Sequence, residues 1–237
     1  MFNKQAKKNI LFKVSAIIPG AGLGSRFGEK KQFKYLNGKP VWVHTLKPFI
    51  LSSLVDEIIF VVEESLINII KESDIYKEFV KEKEIKITMG GEKRKDSVLN
   101  GIQVSKKIND IVCIHDVVRP FVRASSINKT IEACKDFDGA ILAIPSIDTV
   151  KNVENKIIKT TLNRNQIWMA QTPQTFHKDK LLKAFNDNLN VNVTDESTLM
   201  ELSGCSIKII NGDNKNFKIT KKIDWELAKI IASKNKL

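Results

Sequence analysis

The sequence predicts an α/β protein: a mostly parallel sheet with helices on both faces, plus a projecting β-arm. Three observations predict it. Short apolar runs recur along the 237 residues, separated by stretches of helical periodicity. The first apolar run feeds straight into a glycine-rich turn. One segment, Pro145 to Trp168, abandons the alternation for a period-two pattern of charged and β-branched residues.

Val14–Pro19 reads as the first strand, emptying into Gly20-Ala21-Gly22-Leu23-Gly24-Ser25-Arg26. Val41–Leu51 reads as a helix through Val41, Val43, Leu46 and Phe49, despite Pro48. Glu57–Val62 is a buried strand, and Leu66–Lys83 an amphipathic, lysine-rich surface helix. Ile85–Met89 is a strand stopped by Gly90-Gly91, followed by a helix over Asp96–Lys107 with Val98, Ile102 and Val104 apolar. Ile111–Ile114 (strand), Ser126–Asp136 (helix) and Ala140–Ile144 (strand) continue the alternation. Within Asp148–Asn163, Lys156–Thr160 is strand-like and predicts a hairpin or arm. An isolated hairpin buries little, so a partner subunit is one way to cover it. The alternation resumes with strand Ile167–Gln171, helices Lys178–Asn188 and Thr194–Ser203, strand Ser206–Ile210 and helix Ile223–Lys234. With no internal repeat or linker, residues 14–237 are expected to form one domain after a basic extension, Met1–Lys13.

Lys and Arg number 39 against 27 Asp and Glu, a formal net charge of +12, which points to anionic ligands or surfaces. The lysines are dispersed, and aromatics make up only 7%, unlike the clustered, aromatic-interleaved surface of a nucleic-acid binder. Cys113, Cys134 and Cys205 are odd in number and widely spaced, which argues against a disulfide framework or a zinc site and for a reducing, cytoplasmic setting. Neither a signal peptide nor a membrane-spanning stretch is expected.

Ligands of open parallel sheets sit at the carboxyl ends of the strands. Five polar clusters fall there: Pro19–Arg26 with Lys31; Gly90–Ser97; His115–Pro120; Thr172-Pro173-Gln174 preceded by Arg164; and Thr194-Asp195-Glu196 with Lys218 further on. The first can cradle a polyphosphate, because glycines admit close backbone approach and Arg26 and Lys31 supply fixed charge. Its G-x-G-x-x-x-G spacing is neither the dinucleotide fingerprint nor a P-loop, and a plain strand-to-helix loop is the other reading. Taken singly, the remaining clusters read as ordinary structure. Arg94 and Lys95 are solvated charges, Asp116 and Arg119 an ion pair, and His115 a hydrogen-bonded loop histidine. His44 and His177 are structural, and Thr194 is a helix N-cap with Asp195 and Glu196 in the first turn. Ser97 has no His/Asp companion to make it a nucleophile.

Taken together, the clusters resemble the 2-C-methyl-D-erythritol 4-phosphate cytidylyltransferase family, from about Val14 to Ala232. Eight pieces keep that family's order: Pro19-Gly20-Ala21-Gly22-Leu23-Gly24-Ser25-Arg26, Lys31-Gln32-Phe33, Gly90-Gly91-Glu92-Lys93-Arg94-Lys95-Asp96-Ser97-Val98, His115-Asp116-Val117-Val118-Arg119-Pro120, Asp148-Thr149-Val150-Lys151, Gln171-Thr172-Pro173-Gln174, Thr194-Asp195-Glu196-Ser197 and Asn216-Phe217-Lys218-Ile219-Thr220. The family usually has alanine at Gly20, proline at Lys30 and two alanines at Val117 and Val118, so the valines are expected to add bulk beside the ribose.

The resemblance implies a Rossmann-like, nucleotidyltransferase-type sheet and transfer of CMP from CTP to 2-C-methyl-D-erythritol 4-phosphate in non-mevalonate isoprenoid precursor synthesis. It implies Arg26 and Lys31 as transition-state stabilisers, with Arg164 and Lys218 holding the acceptor phosphate. Thr172 and Thr194 would contact the acceptor, with Asp116, Arg119 and Thr149 around its sugar-alcohol portion. Gly20, Ala21, Gly22, Gly24, Gly91, Glu92, Ser97 and Val117 would form the cytidine pocket. Mg²⁺ is expected through the CTP phosphates without protein ligands, as is a homodimer whose arm, Pro145–Trp168, crosses to the partner. Two alternatives stand beside it: a ribitol 5-phosphate cytidylyltransferase, and a basic nucleic-acid-binding protein suggested by the charge alone.

Overall fold

Successive residues of the central strands point to opposite faces, and both faces are covered. In the computed structural model, which describes residues 12–22, 30–189 and 191–234, Val14, Ala16 and Ile18 enter one core cluster while Ile17 enters the other. Ile58, Phe60 and Val62 likewise oppose Ile59 and Val61. That burial explains why these strands read as unbroken apolar runs. The Arg26 and Gly24 assignments and most of the basic extension lie outside the described residues.

The strands are β1 (Val14–Pro19), β2 (Tyr35–Leu36), β3 (Lys39–Pro40), β4 (Glu57–Val62), β5 (Glu84–Met89), β6 (Ile111–Ile114), β7 (Gly139–Pro145), β8 (Lys151–Glu154), β9 (Ile157–Thr161), β10 (Trp168–His177) and β11 (Ile207–Asn211). The helices are α1 (Val41–Leu51), α2 (Ile67–Glu72), α3 (Asp74–Glu82), α4 (Arg94–Val104), α5 (Ala124–Ala133), α6 (Lys178–Asp187), α7 (Glu196–Leu202) and α8 (Lys222–Lys234). Seven strands form the sheet in the order β11-β7-β10-β6-β1-β4-β5. All neighbours pair parallel except β10, which runs antiparallel to both β6 and β7. Residues from α1 and α5 pack on one face, and residues from α4, α6 and α7 on the other. A smaller cluster joins Leu36, Val41 and Phe121 to Ile219, Trp225 and Ala228.

Three expectations change. The single helix over Leu66–Lys83 is two, because Ser73 ends the first and caps the second: its Oγ donates to the Ile70 carbonyl (2.7 Å) and accepts the Tyr76 N–H (3.3 Å). The strand expected over Ile167–Gln171 runs on to His177, so Thr172-Pro173-Gln174 is not a loop after a strand. Because β10 is antiparallel, its first half reaches the rim where the parallel strands end; Gln174 lies opposite Ile114. A register shift between Ala170 and Gln174 separates two stretches paired with β7, the exposed residues 168–170 and the buried residues 174–176. Third, α7 is capped by Asp195, whose carboxylate accepts the Thr198 N–H (3.2 Å), and not by Thr194.

The expected arm is the hairpin β8–β9. Asn155 and Lys156 both have positive φ (48° and 64°), the geometry of a two-residue hairpin turn. Val153, Ile157 and Ile158 are exposed on it.

Candidate active site

The rim at the end of β1 is held by backbone. The Gly20 N–H donates to the Val61 carbonyl (2.7 Å). The Gln32 amide, from the turn Lys31–Phe33, donates to the carbonyls of Gly20 (2.9 Å) and Gly22 (3.2 Å). Lys31 shares that turn and is buried. The loop after β5 closes against the same place: a Cβ on Gly90 would lie 2.2 Å from the Ala21 Cβ and 2.9 Å from the Ser97 Oγ. Glycine is required there by close approach. Ser97 Oγ accepts the Gly91 N–H (3.1 Å) and donates to the Lys93 carbonyl (3.3 Å), so it shapes the loop. Glu92 stands exposed on that loop. Val117 and Val118 are both buried in the core, and Val117 Cγ1 would lie 3.3 Å from a Cβ on Gly20, so its bulk packs under the first glycine loop.

A cleft of about 190 Å³ opens beside these loops, lined among others by Arg94, Asp116, Arg119, Thr172, Thr194 and Lys218. At its centre Asp116, 6% exposed, meets three cations. Arg94 Nε donates to Oδ1 (3.1 Å), while Arg119 Nε (3.3 Å) and Lys218 Nζ (3.0 Å) donate to Oδ2. Burial opposes ionisation of Asp116, but the Arg94, Lys218 and Arg119 charges together hold its carboxyl far below the usual range. Arg94 is therefore no solvated surface charge. Its Nη1 also grips both oxygens of Glu196 (2.6 and 2.9 Å), and Glu196 is 2% exposed. Burial drives the Glu196 carboxyl upward, and the Arg94 guanidinium opposes that drive.

His115 and Thr172 form a second buried element. Thr172 Oγ1 accepts the Asp116 N–H (3.0 Å) and lies 2.9 Å from His115 Nδ1, while His115 Nε2 lies 3.1 Å from the Arg119 carbonyl. Burial pushes the His115 pKa down to about 4, so the ring is neutral. A carbonyl only accepts, so Nε2 carries the proton and Nδ1 takes the Thr172 hydroxyl proton. Thr172 thus has only a lone pair left for a ligand. Next to it, Asn216 donates to the Thr172 carbonyl (2.8 Å), and its Oδ1 is the one buried side-chain polar atom left without a partner among the described residues.

The structure therefore brings Asp116, Arg119, Thr172, Thr194 and Lys218 into one cleft, beside the loops bearing Gly20, Ala21, Gly22, Gly91 and Ser97. It leaves Thr149 and Arg164 exposed on the arm of their own chain, where Arg164 Nη1 donates to the Ile147 carbonyl (3.2 Å). The sequence reading named Gln32, Arg94, Gln174 and Glu196 within its motifs but gave none of them a site role. Gln174 joins β10 to the start of α7, donating to Asp195 (2.7 Å) and accepting the Ser197 N–H (3.1 Å). Among the described residues no three His, Cys, Asp or Glu side chains come together as metal ligands. The cleft carboxylates Asp116, Asp195 and Glu196 are already engaged.

Glycine-rich loops beside a cationic cleft, at the rim of this mostly parallel sheet, define a nucleotidyltransferase-like α/β protein. The comparisons agree. The model of the IspD family, 2-C-methyl-D-erythritol 4-phosphate cytidylyltransferase, matches residues 14–234. Enzymes of that name from Geotalea uraniireducens and Syntrophus aciditrophicus are 37% and 38% identical, over 91% and 94% of this chain and 95% and 97% of theirs. The crystal structure of 4-diphosphocytidyl-2C-methyl-D-erythritol synthase from Anaerococcus prevotii superposes with a TM-score of 0.82 at 29% identity, over 94% of this chain and 99% of that one. That of the Francisella tularensis cytidylyltransferase gives 0.75 at 34%, over 92% and 99%. The chain belongs to the 2-C-methyl-D-erythritol 4-phosphate cytidylyltransferase family.

Proposed function

We infer that this chain transfers the CMP moiety of CTP to 2-C-methyl-D-erythritol 4-phosphate, giving 4-diphosphocytidyl-2-C-methyl-D-erythritol and diphosphate. Beyond family membership, one observation carries the reading: three cations converge on a single buried carboxylate beside the glycine loops. An acceptor phosphate oxygen attacks the α-phosphorus, and the bond to diphosphate breaks. The nucleophile is already an anion, so no strong base is needed. The task is to bring two anions together and spread the developing charge.

Lys31, with Arg26, is assigned to the charge developing at the α-phosphorus. Lys218 is assigned to the acceptor phosphate, with Asp116 and Arg119 beside the polyol and Thr194 at the cleft wall. The loop residues Gly20, Ala21, Gly22 and Gly24, with Gly91, Glu92, Ser97 and the Val117 backbone, are assigned to the nucleotide. Mg²⁺ would supply charge neutralisation when bound, and with the cleft carboxylates engaged it would be held through phosphate and water oxygens. The exposed apolar arm supports a homodimer in which Arg164 and Thr149 serve the partner's cleft. Buried thiols at Cys113 and Cys134, both pushed up to about 12 by burial, fit a cytoplasmic setting. No described helix is long and apolar enough to cross a membrane.

The test is diphosphate release from CTP in magnesium buffer with an acceptor panel. Release with 2-C-methyl-D-erythritol 4-phosphate and little with ribitol 5-phosphate is expected. Equal or greater release with ribitol 5-phosphate, or none with either, overturns the assignment.

A further inference from the structure

We propose that Arg94 and Glu196 act as a positioning pair for the acceptor half of the cleft, setting the orientation of the Asp116 carboxylate and, through it, the place of the Lys218 ammonium. The proposal rests on the function inferred above. The argument begins with the shape of guanidinium. It is a rigid fork whose donors point in fixed directions. Nη1 of Arg94 meets both oxygens of Glu196 while Nε meets Asp116, and two donors of one rigid fork anchored at two carboxylates together fix its plane. Glu196 is itself held in place. It is buried in the first turn of α7, and that turn is tied to β10 by the Gln174 amide, which bonds Asp195 and the Ser197 N–H. With the plane set, Nε of Arg94 meets Oδ1 of Asp116 alone. Oδ2 is thereby turned to Arg119 and Lys218.

A simple staple between α4 and α7 would need only the Arg94–Glu196 contact. The second contact, from the same fork to Asp116, gives the pair a hold on the cleft. Arg94 opens α4, and the partners its side chain reaches are Asp116 and Glu196 of the acceptor cleft. The pair should therefore govern the acceptor and spare CTP.

Two single variants, Glu196→Gln and Arg94→Lys, and their combination test this in steady-state assays with each substrate varied. Gln keeps the volume of Glu196 and removes its charge; Lys keeps the charge of Arg94 and removes the fork. Each single change is expected to lower kcat/KM for the acceptor by about 30-fold or more, the order expected for a misplaced reacting group. KM for CTP should stay within about threefold of wild type. Residues acting as one unit are non-additive, so the double variant should be no worse than the worse single one. Three results overturn the proposal: an acceptor kcat/KM close to wild type, a KM for CTP that rises as much as the acceptor's, or multiplied losses in the double variant. Thermal midpoints recorded alongside identify a merely structural role, which lowers stability without splitting the two substrates. Turnover of the wild-type protein in the same assay reports separately on the function itself.

Discussion

Lowering the pH should weaken the fold through His115, by an amount that its surroundings set. The ring is fully buried, lies against Phe49 with centroids 5.2 Å apart, and bonds Thr172 and the Arg119 carbonyl. Its pKa falls from the ordinary 6.5 to about 4, first because burial disfavours the cation. A depressed histidine pKa means that the unfolded chain binds the extra proton first. Its contribution to stability is complete above the unfolded value and is lost as pH falls through the window between the two values. From about pH 8 to about pH 5 the loss amounts to about 2 kcal/mol. Urea unfolding of wild type and His115→Gln across that range reads it directly. Glutamine can still donate to the Arg119 carbonyl and accept from Thr172, but it does not titrate. The difference between the two curves should shrink by about 2 kcal/mol toward the acid end. His44, whose pKa is also lowered by burial, acts equally in both proteins and cancels. Parallel curves, with a difference that does not change with pH, would refute the buried neutral imidazole.

Gly90→Ala should distort the nucleotide loop, because its methyl carbon would sit 2.2 Å from the Ala21 Cβ. Overpacking of this kind costs about 1–3 kcal/mol, and melting together with KM for CTP should both worsen; an unchanged pair of values would count against the tight loop contact. For the arm, mixing inactive Arg164→Gln and Lys218→Gln chains should restore roughly a quarter of wild-type activity, since half the dimers are mixed and each holds one intact cleft. No recovery on mixing would place Arg164 in its own chain's cleft or in none.

The scaffold was legible because its strands are buried on both faces. Runs such as Ile58 to Val62 are apolar at every position, and the hairpin stood out by its contrast with them. Ser73 escaped because a cap inside an amphipathic stretch leaves the helical period almost intact. The orientation of β10 was hidden because strand direction depends on partners far along the chain. The cleft was half legible. Asp116 and Arg119, three residues apart, announced their own pairing. Arg94 and Glu196 are 102 residues apart, and each alone looks like surface charge. Such a long-range pair shows itself only when α4 and α7 pack on the same face of the sheet. Gln174 and Gln32 were passed over for a related reason: an amide carries no charge to advertise its bonds.

The hairpin of β8 and β9 has a bearing on handling the isolated chain. Each strand has a single partner, so both outer edges keep unused hydrogen-bonding groups beside Val153, Ile157 and Ile158. Open apolar edges invite stray strands to add on and seed clumping. Lys159 on this ribbon is paired with Glu154 (3.1 Å), which leaves Lys151 and Lys156 to oppose further copies that add edge to edge. That protection is electrostatic, so concentrated salt strips it away while dilute buffer limits the clumping.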